Sequence, residues 1–132
     1  MIYITGDTHG QFERRFTTGS FPEQKDMTKS DYVIICGDFG GIWDRAGESD
    51  SEKHWLDWFN DRSYTLLFID GNHENFDRIE SYPEKEWHGA EYMRLDHMYI
   101  ISCEDKCLKL TGKRFLHLVE PPVMIYPAGS LI

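Results

Sequence analysis

Three short apolar segments in the first half of the chain most constrain its fold. They are MIYIT at residues 1–5, DYVIICGD at 31–38 and SYTLLFIDGNHE at 63–74. The first is rich in β-branched and aromatic residues, which favour strands. The other two have continuous apolar centres, as expected of strands that are covered on both faces of a sheet. The segments therefore predict three strands of one buried sheet.

The segment ESDSEKHWLDWFNDR, residues 48–62, predicts a helix between the second and third strands. Ser49 and Glu52 have the spacing of a capping box, in which each side chain bonds to the backbone of the other residue. Trp55 and Phe59 recur at helical spacing, and we expect Trp55 to pack in the core. The order of strand, helix and strand predicts right-handed crossovers and a largely parallel sheet.

The second half of the chain has a different pattern. The segments HMYIIS at 97–102, KCLKL at 106–110 and KRFLHLV at 113–119 are short and partly alternating, which predicts antiparallel strands. The residues TGK at 111–113 lie between the last two segments and predict a hairpin turn.

Length and composition predict a single globular, soluble domain. The chain has 132 residues, of which 40% are hydrophobic and 28% are charged, a composition typical of one packed domain. We place this domain at residues 1–119. Residues 120–132 contain three of the five prolines and are predicted to form a divergent tail, because proline cannot donate a hydrogen bond to a sheet.

The charge of the chain limits its partners. A formal net charge of -9 disfavours binding to a nucleic-acid scaffold or to an anionic membrane, because both would repel it. No apolar run approaches the roughly 20 residues that span a bilayer, and no secretory signal is visible, which predicts a cytoplasmic protein. The three cysteines, at positions 36, 103 and 107, are expected to be reduced thiols without a metal or redox role.

A polar cluster follows each of the first three apolar runs. The clusters are GDTHG at 6–10, GDFGG at 37–41 and GNHE at 71–74. Each cluster alone could be a turn or a helix cap, but ligands of parallel sheets bind beyond the carboxyl ends of the strands, where such loops converge. Carboxylate, imidazole and amide groups together suit divalent ions such as Mn, Fe or Zn. The candidate site residues are Asp7, His9, Asp38, Asn72 and His73.

These motifs resemble those of the calcineurin-like metallophosphoesterases, in which Asp-x-His is followed by Gly-Asp and then by Gly-Asn-His-Glu. The similarity runs from Met1 to about Val119 and is closest to small bacterial or phage-type members. It implies an α/β fold, namely a four-layer β-sandwich flanked by helices, with two metal ions at the strand ends. Because the chain stops where family sequence usually continues, we expect the second sheet to be incomplete and the chain to be truncated at its C-terminus.

The resemblance also implies a role for each candidate residue. Asp7 and His9 would bind the first ion, Asp38 would bridge both ions, and Asn72 would bind the second. His73 would act as the catalytic proton donor near the leaving oxygen without binding metal. The expected cofactor is a divalent metal, Mn²⁺ first and Fe or Zn as alternatives.

The chain departs from the family pattern at two places. Gly41 stands where many members carry a second aspartate, and no histidine segment of the family type follows Glu74. His88, His97 and His117 remain as candidate ligands but are each expected to be structural. The family resemblance implies up to two bound ions per chain. Because the later histidine ligands are absent, we expect one.

Two functions remain open at this point. The first is a metal-dependent phosphoester hydrolase, acting as a phosphomonoesterase, a phosphodiesterase or a phosphoprotein phosphatase. The second is a catalytically impaired remnant that serves as a metal-binding or interaction domain. The predicted partners are a phosphoester substrate and, through an incompletely covered sheet, a second copy of the chain.

Overall fold

The structure is a computed structural model that describes residues 1–88, 90–95, 98–101, 107–110 and 113–117. Its strands are β1 (Ile2–Thr5), β2 (Tyr32–Cys36), β3 (Thr65–Ile69), β4 (Glu84–Trp87), β5 (Ala90–Leu95), β6 (Met98–Ile101), β7 (Cys107–Leu110) and β8 (Lys113–His117). Its helices are α1 (Glu13–Phe16), α2 (Asp50–Asn60) and α3 (Phe76–Ile79), and a 3₁₀ helix covers Pro22–Asp26.

Six strands form one open, mixed sheet in the order β1-β2-β3-β6-β5-β4. The first three are the predicted strands, and they are parallel neighbours, with Ile34 facing Ile4 on one side and Leu67 on the other. Few helices accompany this sheet, and the predicted α/β class is confirmed. In the described part of the chain the second sheet consists of β7 and β8 alone.

The second half of the chain only partly follows its predicted pattern. Strands β7 and β8 are antiparallel, as predicted. Strand β6 is antiparallel to β5 but parallel to β3, so the prediction of a purely antiparallel strand was wrong there. Its register next to β3 completes the buried centre of the sheet. Residues 111–112 of the predicted turn and the whole predicted tail lie outside the described residues.

The hairpin of β4 and β5 has no counterpart in the sequence prediction. Strand β4 has the sequence EKEW and its first three residues are exposed. Charged residues are typical of an edge strand, since they discourage pairing with other chains, and they hide the alternation that marks a strand. His88 follows β4 with a φ of 51°, a left-handed conformation that reverses the chain.

The large sheet is buried on both faces. Val33, Ile35 and Phe68 belong to one hydrophobic cluster with helix residues such as Phe59. On the opposite face Ile34, Leu67 and Ile101 form a second cluster, and each of them is at most 1% exposed. On this face Ile4, in the outermost strand β1, is 36% exposed. The described residues therefore expose little apolar surface of this sheet through which a second copy could bind. Self-association through an uncovered sheet stays a prediction.

Helix α2 confirms the predicted helix and half of its predicted capping box. The hydroxyl of Ser49 accepts a hydrogen bond from the backbone N–H of Glu52 at 3.3 Å. The carboxylate of Glu52 instead turns towards the preceding loop, so the reciprocal bond was wrongly predicted. Trp55 packs against Phe12 in the core, as expected, with 5.4 Å between ring centroids. At 11 residues α2 is the longest described helix, and no described helix is long and apolar enough to cross a membrane.

Candidate metal site

The loops that follow β1 and β2 are joined by backbone hydrogen bonds. The N–H groups of Thr8 and His9 both donate to the carbonyl of Asp38, at 2.9 and 3.0 Å, and the N–H of Gly10 donates to the carbonyl of Phe39 at 2.9 Å. The buried hydroxyl of Thr8 also donates to the Phe39 carbonyl at 2.7 Å. These bonds hold His9 at a φ of 48°, a conformation that is costly for a residue with a side chain and that is often found at functional sites.

The Asp38 carboxylate lies at the centre of the candidate site. Its side chain is 7% exposed, and its Oδ1 accepts a hydrogen bond from the backbone N–H of His73 at 2.9 Å. Its Oδ2 accepts a second bond from Nδ1 of His73 at 2.7 Å and lies 3.8 Å from Nδ1 of His9. One ligand atom from each of these three residues falls within 4.8 Å of the others. Clusters that follow three different strands thus meet, as the sequence predicted.

Two further candidate residues border this cluster. The Asp7 carboxylate lies 3.7 Å from Nε2 of His9, and the Asp7 side chain is 55% exposed. Asn72 directly precedes His73 and is exposed. Their predicted roles as metal ligands stay predictions, as does the predicted division of labour between His9 and His73.

Burial and hydrogen bonding have opposite effects on Asp38. Burial alone would raise its pKa, but the two hydrogen bonds from His73 and the neighbouring His9 imidazole outweigh burial and hold the pKa below its ordinary value. Asp38 is therefore ionised at neutral pH, which is the state that a metal ligand requires.

Two glycines allow the carboxylates to approach the backbone. A Cβ atom on Gly37, whose φ is 101°, would lie 2.0 Å from Oδ1 of Asp7. A Cβ atom on Gly71 would lie 2.0 Å from Oδ1 of Asp38 and 2.5 Å from its backbone nitrogen. No side chain fits at either position without moving a candidate ligand.

We therefore expect the Gly71→Ala substitution to weaken metal binding by at least about tenfold, since displaced supporting groups typically cost 10- to 100-fold in metal affinity. Isothermal titration with Mn²⁺ measures this affinity. Gly19→Ala is the matched control, because a Cβ there would meet nothing within 4 Å. Equal affinities in the two variants would contradict the placement of Asp38 in the site.

Gly41 is also explained by packing. A Cβ atom there would lie 2.4 Å from the ring of Phe39. That ring is fully buried and stacks on Phe68, with 4.4 Å between centroids. An aspartate at this position, as in many family members, would have to displace a core aromatic ring.

Glu74 braces the loop that carries Asp38. Its Oε1 accepts hydrogen bonds from the backbone N–H groups of Phe39 and Gly40, at 2.6 and 3.2 Å. Burial raises the pKa of Glu74 to about 7 in spite of these bonds. Glu74 touches the loop, rather than the open side of the cluster, so it acts on the site through the position of the Asp38 backbone.

His88 is placed away from this cluster. Its Nε2 lies 3.4 Å from the hydroxyl of Tyr32, at the beginning of β2, whereas Asp38 follows the end of that strand. A five-residue strand is about 16 Å long, so the two residues belong to opposite ends of the sheet. His97 lies outside the described residues, and for His117 the structure describes only the backbone.

A buried network beside the site escaped the sequence prediction. Oε1 of Glu52 accepts hydrogen bonds from the backbone N–H groups of Trp43 and Asp44, at 2.5 and 2.6 Å. Oε2 of Glu52 pairs with Nη1 of Arg78 at 2.6 Å, and the same nitrogen donates to the Asp44 carbonyl at 2.9 Å. The network fixes the loop between β2 and α2. The only sequence signal for this network is the Ser49–Glu52 spacing, which predicts a helix cap.

The fold and the site together define a class of protein. Carboxylate and imidazole groups converge beyond parallel strands of an α/β sheet, a donor set that suits a divalent ion. A sequence profile of the calcineurin-like phosphoesterases matches residues 1–118, and the chain belongs to this family. The family resemblance inferred from the motifs is thereby confirmed.

Two curated proteins are distant relatives. Lariat debranching enzyme A of Xenopus laevis is 25% identical over 97 residues, which cover 65% of this chain and 18% of the relative. Lariat debranching enzyme of Danio rerio is 25% identical over 100 residues, which cover 65% of this chain and 17% of the relative. The matched region is therefore less than a fifth of either relative's length. No solved structure matches the chain significantly.

Proposed function

We propose that this chain is a metal-dependent phosphoester hydrolase. Family membership gives the reaction class, and the observation that carries the proposal for this chain is the cluster of His9, Asp38 and His73, with ligand atoms within 4.8 Å of one another. The whole-protein activity of the two relatives is not implied by a match to less than a fifth of their length.

The donor set fits a divalent ion. Asp38 supplies an ionised and nearly buried carboxylate and His9 an imidazole, and the missing side chains of Gly37 and Gly71 leave room for the carboxylates of Asp7 and Asp38. In the proposal Asp7, His9 and Asp38 hold one ion, and Asn72 with Asp38 holds a second, weaker one. A divalent ion bound there would polarise the phosphoryl group and lower the pKa of an attacking water. Mn²⁺ as the ion and a cytoplasmic location stay predictions from the sequence.

His73 is proposed to donate a proton to the leaving oxygen. Its Nδ1 is hydrogen-bonded to the Asp38 carboxylate, which fixes the plane of the ring. Its side chain is 53% exposed, so its other nitrogen, Nε2, can reach a substrate. In the imidazolium form both nitrogens carry a proton. The proton on Nε2 can be transferred to the leaving oxygen, while the proton on Nδ1 stays there and remains hydrogen-bonded to the Asp38 carboxylate.

Phosphoester hydrolysis in the presence and absence of Mn²⁺ tests the proposal. We expect slow turnover of bis(p-nitrophenyl) phosphate that rises with Mn²⁺ up to millimolar concentrations, and near one tightly bound ion per chain. His73→Ala should lower the rate by about 100-fold or more, the usual contribution of a general acid, and should leave the content of tightly bound metal nearly unchanged.

The same experiment separates the alternatives. A large loss of bound metal in His73→Ala would make His73 a ligand. His54→Ala is a control variant on the exposed side of α2, where the ring contacts Trp55 rather than the site. No turnover at any Mn²⁺ concentration by a folded protein would instead favour a metal-binding or interaction domain.

A further inference from the structure

We propose that Trp43 is a stacking platform that selects phosphoesters whose leaving group carries a planar ring. This inference rests on the proposed function, because it concerns the substrate of the same site. It follows from the exposure of Trp43, from its position beside His73 and from the way its loop is held.

Trp43 faces the candidate metal site from the loop between β2 and α2. It is 53% exposed, whereas Trp55, Trp58 and Trp87 are each half-buried. Its ring centroid lies 6.0 Å from that of His73. The two rings line a pocket of about 380 Å³, together with His9, Gly40, Asp44, Ser49, Ser51 and Glu52. A group that leaves from a phosphate near His73 would therefore pass along the indole ring.

The loop that carries Trp43 is fixed rather than loosely attached. The Trp43 backbone N–H is bound by the Glu52 carboxylate at 2.5 Å. The preceding residue, Ile42, is fully buried, and its carbonyl accepts a hydrogen bond from the N–H of Asn75 at 2.9 Å. An exposed indole on such a firmly held backbone is preorganised to bind a ligand, since little freedom is lost on binding.

A second pocket also borders Trp43. It has a volume of about 830 Å³ and contains Phe76, which is 41% exposed, and the exposed Arg45. Trp43 and Asp44 belong to both pockets. The leaving group thus has room for a ring against the indole and for polar substituents beyond it.

Stacking on Trp43 would let this site distinguish phosphoesters by their leaving group, which charge attraction does not do. The chain has a net charge of -9, so a phosphoester gains no general attraction from the protein surface. Stacking of a planar ring on an aromatic side chain strengthens binding by about 5- to 150-fold. An alicyclic ring of the same size has no π face and gains only its apolar contact.

Benzyl phosphate and cyclohexylmethyl phosphate form a matched pair for the test. Both release a primary alcohol of similar size and reactivity, and they differ in the planarity of the ring. We expect the wild-type protein with Mn²⁺ to hydrolyse benzyl phosphate with about tenfold higher kcat/KM, measured as phosphate release. Trp43→Phe should keep most of this preference, whereas Trp43→Leu should bring the ratio close to one.

Binding of two non-hydrolysable analogues gives a readout that does not depend on turnover. These are 2-phenylethylphosphonate and 2-cyclohexylethylphosphonate, titrated calorimetrically into the Mn²⁺-loaded wild type and both variants. Tighter binding of the phenyl compound that is lost in Trp43→Leu supports the platform, even if no substrate is hydrolysed and the proposed function fails. Hydrolysis without a ring preference overturns the platform and leaves the proposed function standing. Equal binding of both phosphonates by the wild type overturns the platform, whether or not a substrate is hydrolysed.

Discussion

The Asp38→Asn variant is expected to lose its tightly bound metal and to hydrolyse phosphoesters more than about 100-fold more slowly than the wild type. Groups that only orient a ligand typically cost 10- to 100-fold in metal affinity or activity when they are removed. Asp38 is proposed to be a metal ligand itself and to be shared by both predicted ions. Its replacement should therefore lower metal affinity and activity by more than about 100-fold.

The physical reason is the loss of charge without a loss of shape. Asparagine has nearly the same size as aspartate, and its Oδ1 can still accept the bond that the His73 N–H now donates at 2.9 Å. Its amide group replaces the oxygen that faces His9 and His73 at 3.8 and 2.7 Å. An N–H group cannot coordinate a cation, so the variant should fold and still fail to bind metal.

Elemental analysis after dialysis against low concentrations of Mn²⁺ checks this result. Asn72→Ala should retain more metal, because Asn72 is predicted to contact only the second ion. Asp57→Asn, in the exposed Lys53–Asp57 pair of α2, controls for the loss of one negative charge. If Asp38→Asn holds as much metal as the wild type, the assignment of Asp38 as the shared ligand is wrong.

The parts of the fold that the sequence predicted are those with a strong local pattern. Strands β2 and β3 are continuous apolar runs between polar turns, and α2 has an apolar face after a capping serine. Strands β4 and β6 depend on long-range partners instead. The exposed EKE sequence of β4 carries no apolar period, and the direction of β6 is set by β3, to which it adds in parallel.

The same distinction applies to the site. Asp38, His9 and His73 follow strands in recognisable motifs, and the rule that parallel strands direct their following loops to one edge was enough to bring them together. Glu52 and Arg78 are 26 residues apart, in two helices whose relative placement no local pattern encodes. The contact between Trp43 and His73 depends on that placement, so no local pattern of the sequence predicts it.

Of the substitutions proposed here, Glu52→Ala is expected to destabilise the fold most. It should lower the free energy of unfolding by about 3–5 kcal/mol. The Glu52 side chain is 7% exposed and its partner Arg78 is 16% exposed. Removal of the carboxylate leaves the largely covered guanidinium of Arg78 without its counter-charge. It also leaves two backbone N–H groups, of Trp43 and Asp44, without their acceptor. Unpaired groups of this kind cost far more than an intact pair contributes.

Urea unfolding of the chelator-treated protein measures this loss without a contribution from bound metal. The matched control is Lys53→Ala, at the next position of α2, where the ion pair with Asp57 is 61% and 60% exposed. Such surface pairs contribute about 0–1 kcal/mol. Glu52→Gln should fall between the two variants, because the amide oxygen can still accept from the loop while the charge is gone. A loss in Glu52→Ala no greater than in Lys53→Ala would mean that the loop beneath Trp43 is held by other contacts, and the rigid support argued for the stacking platform would fail with it.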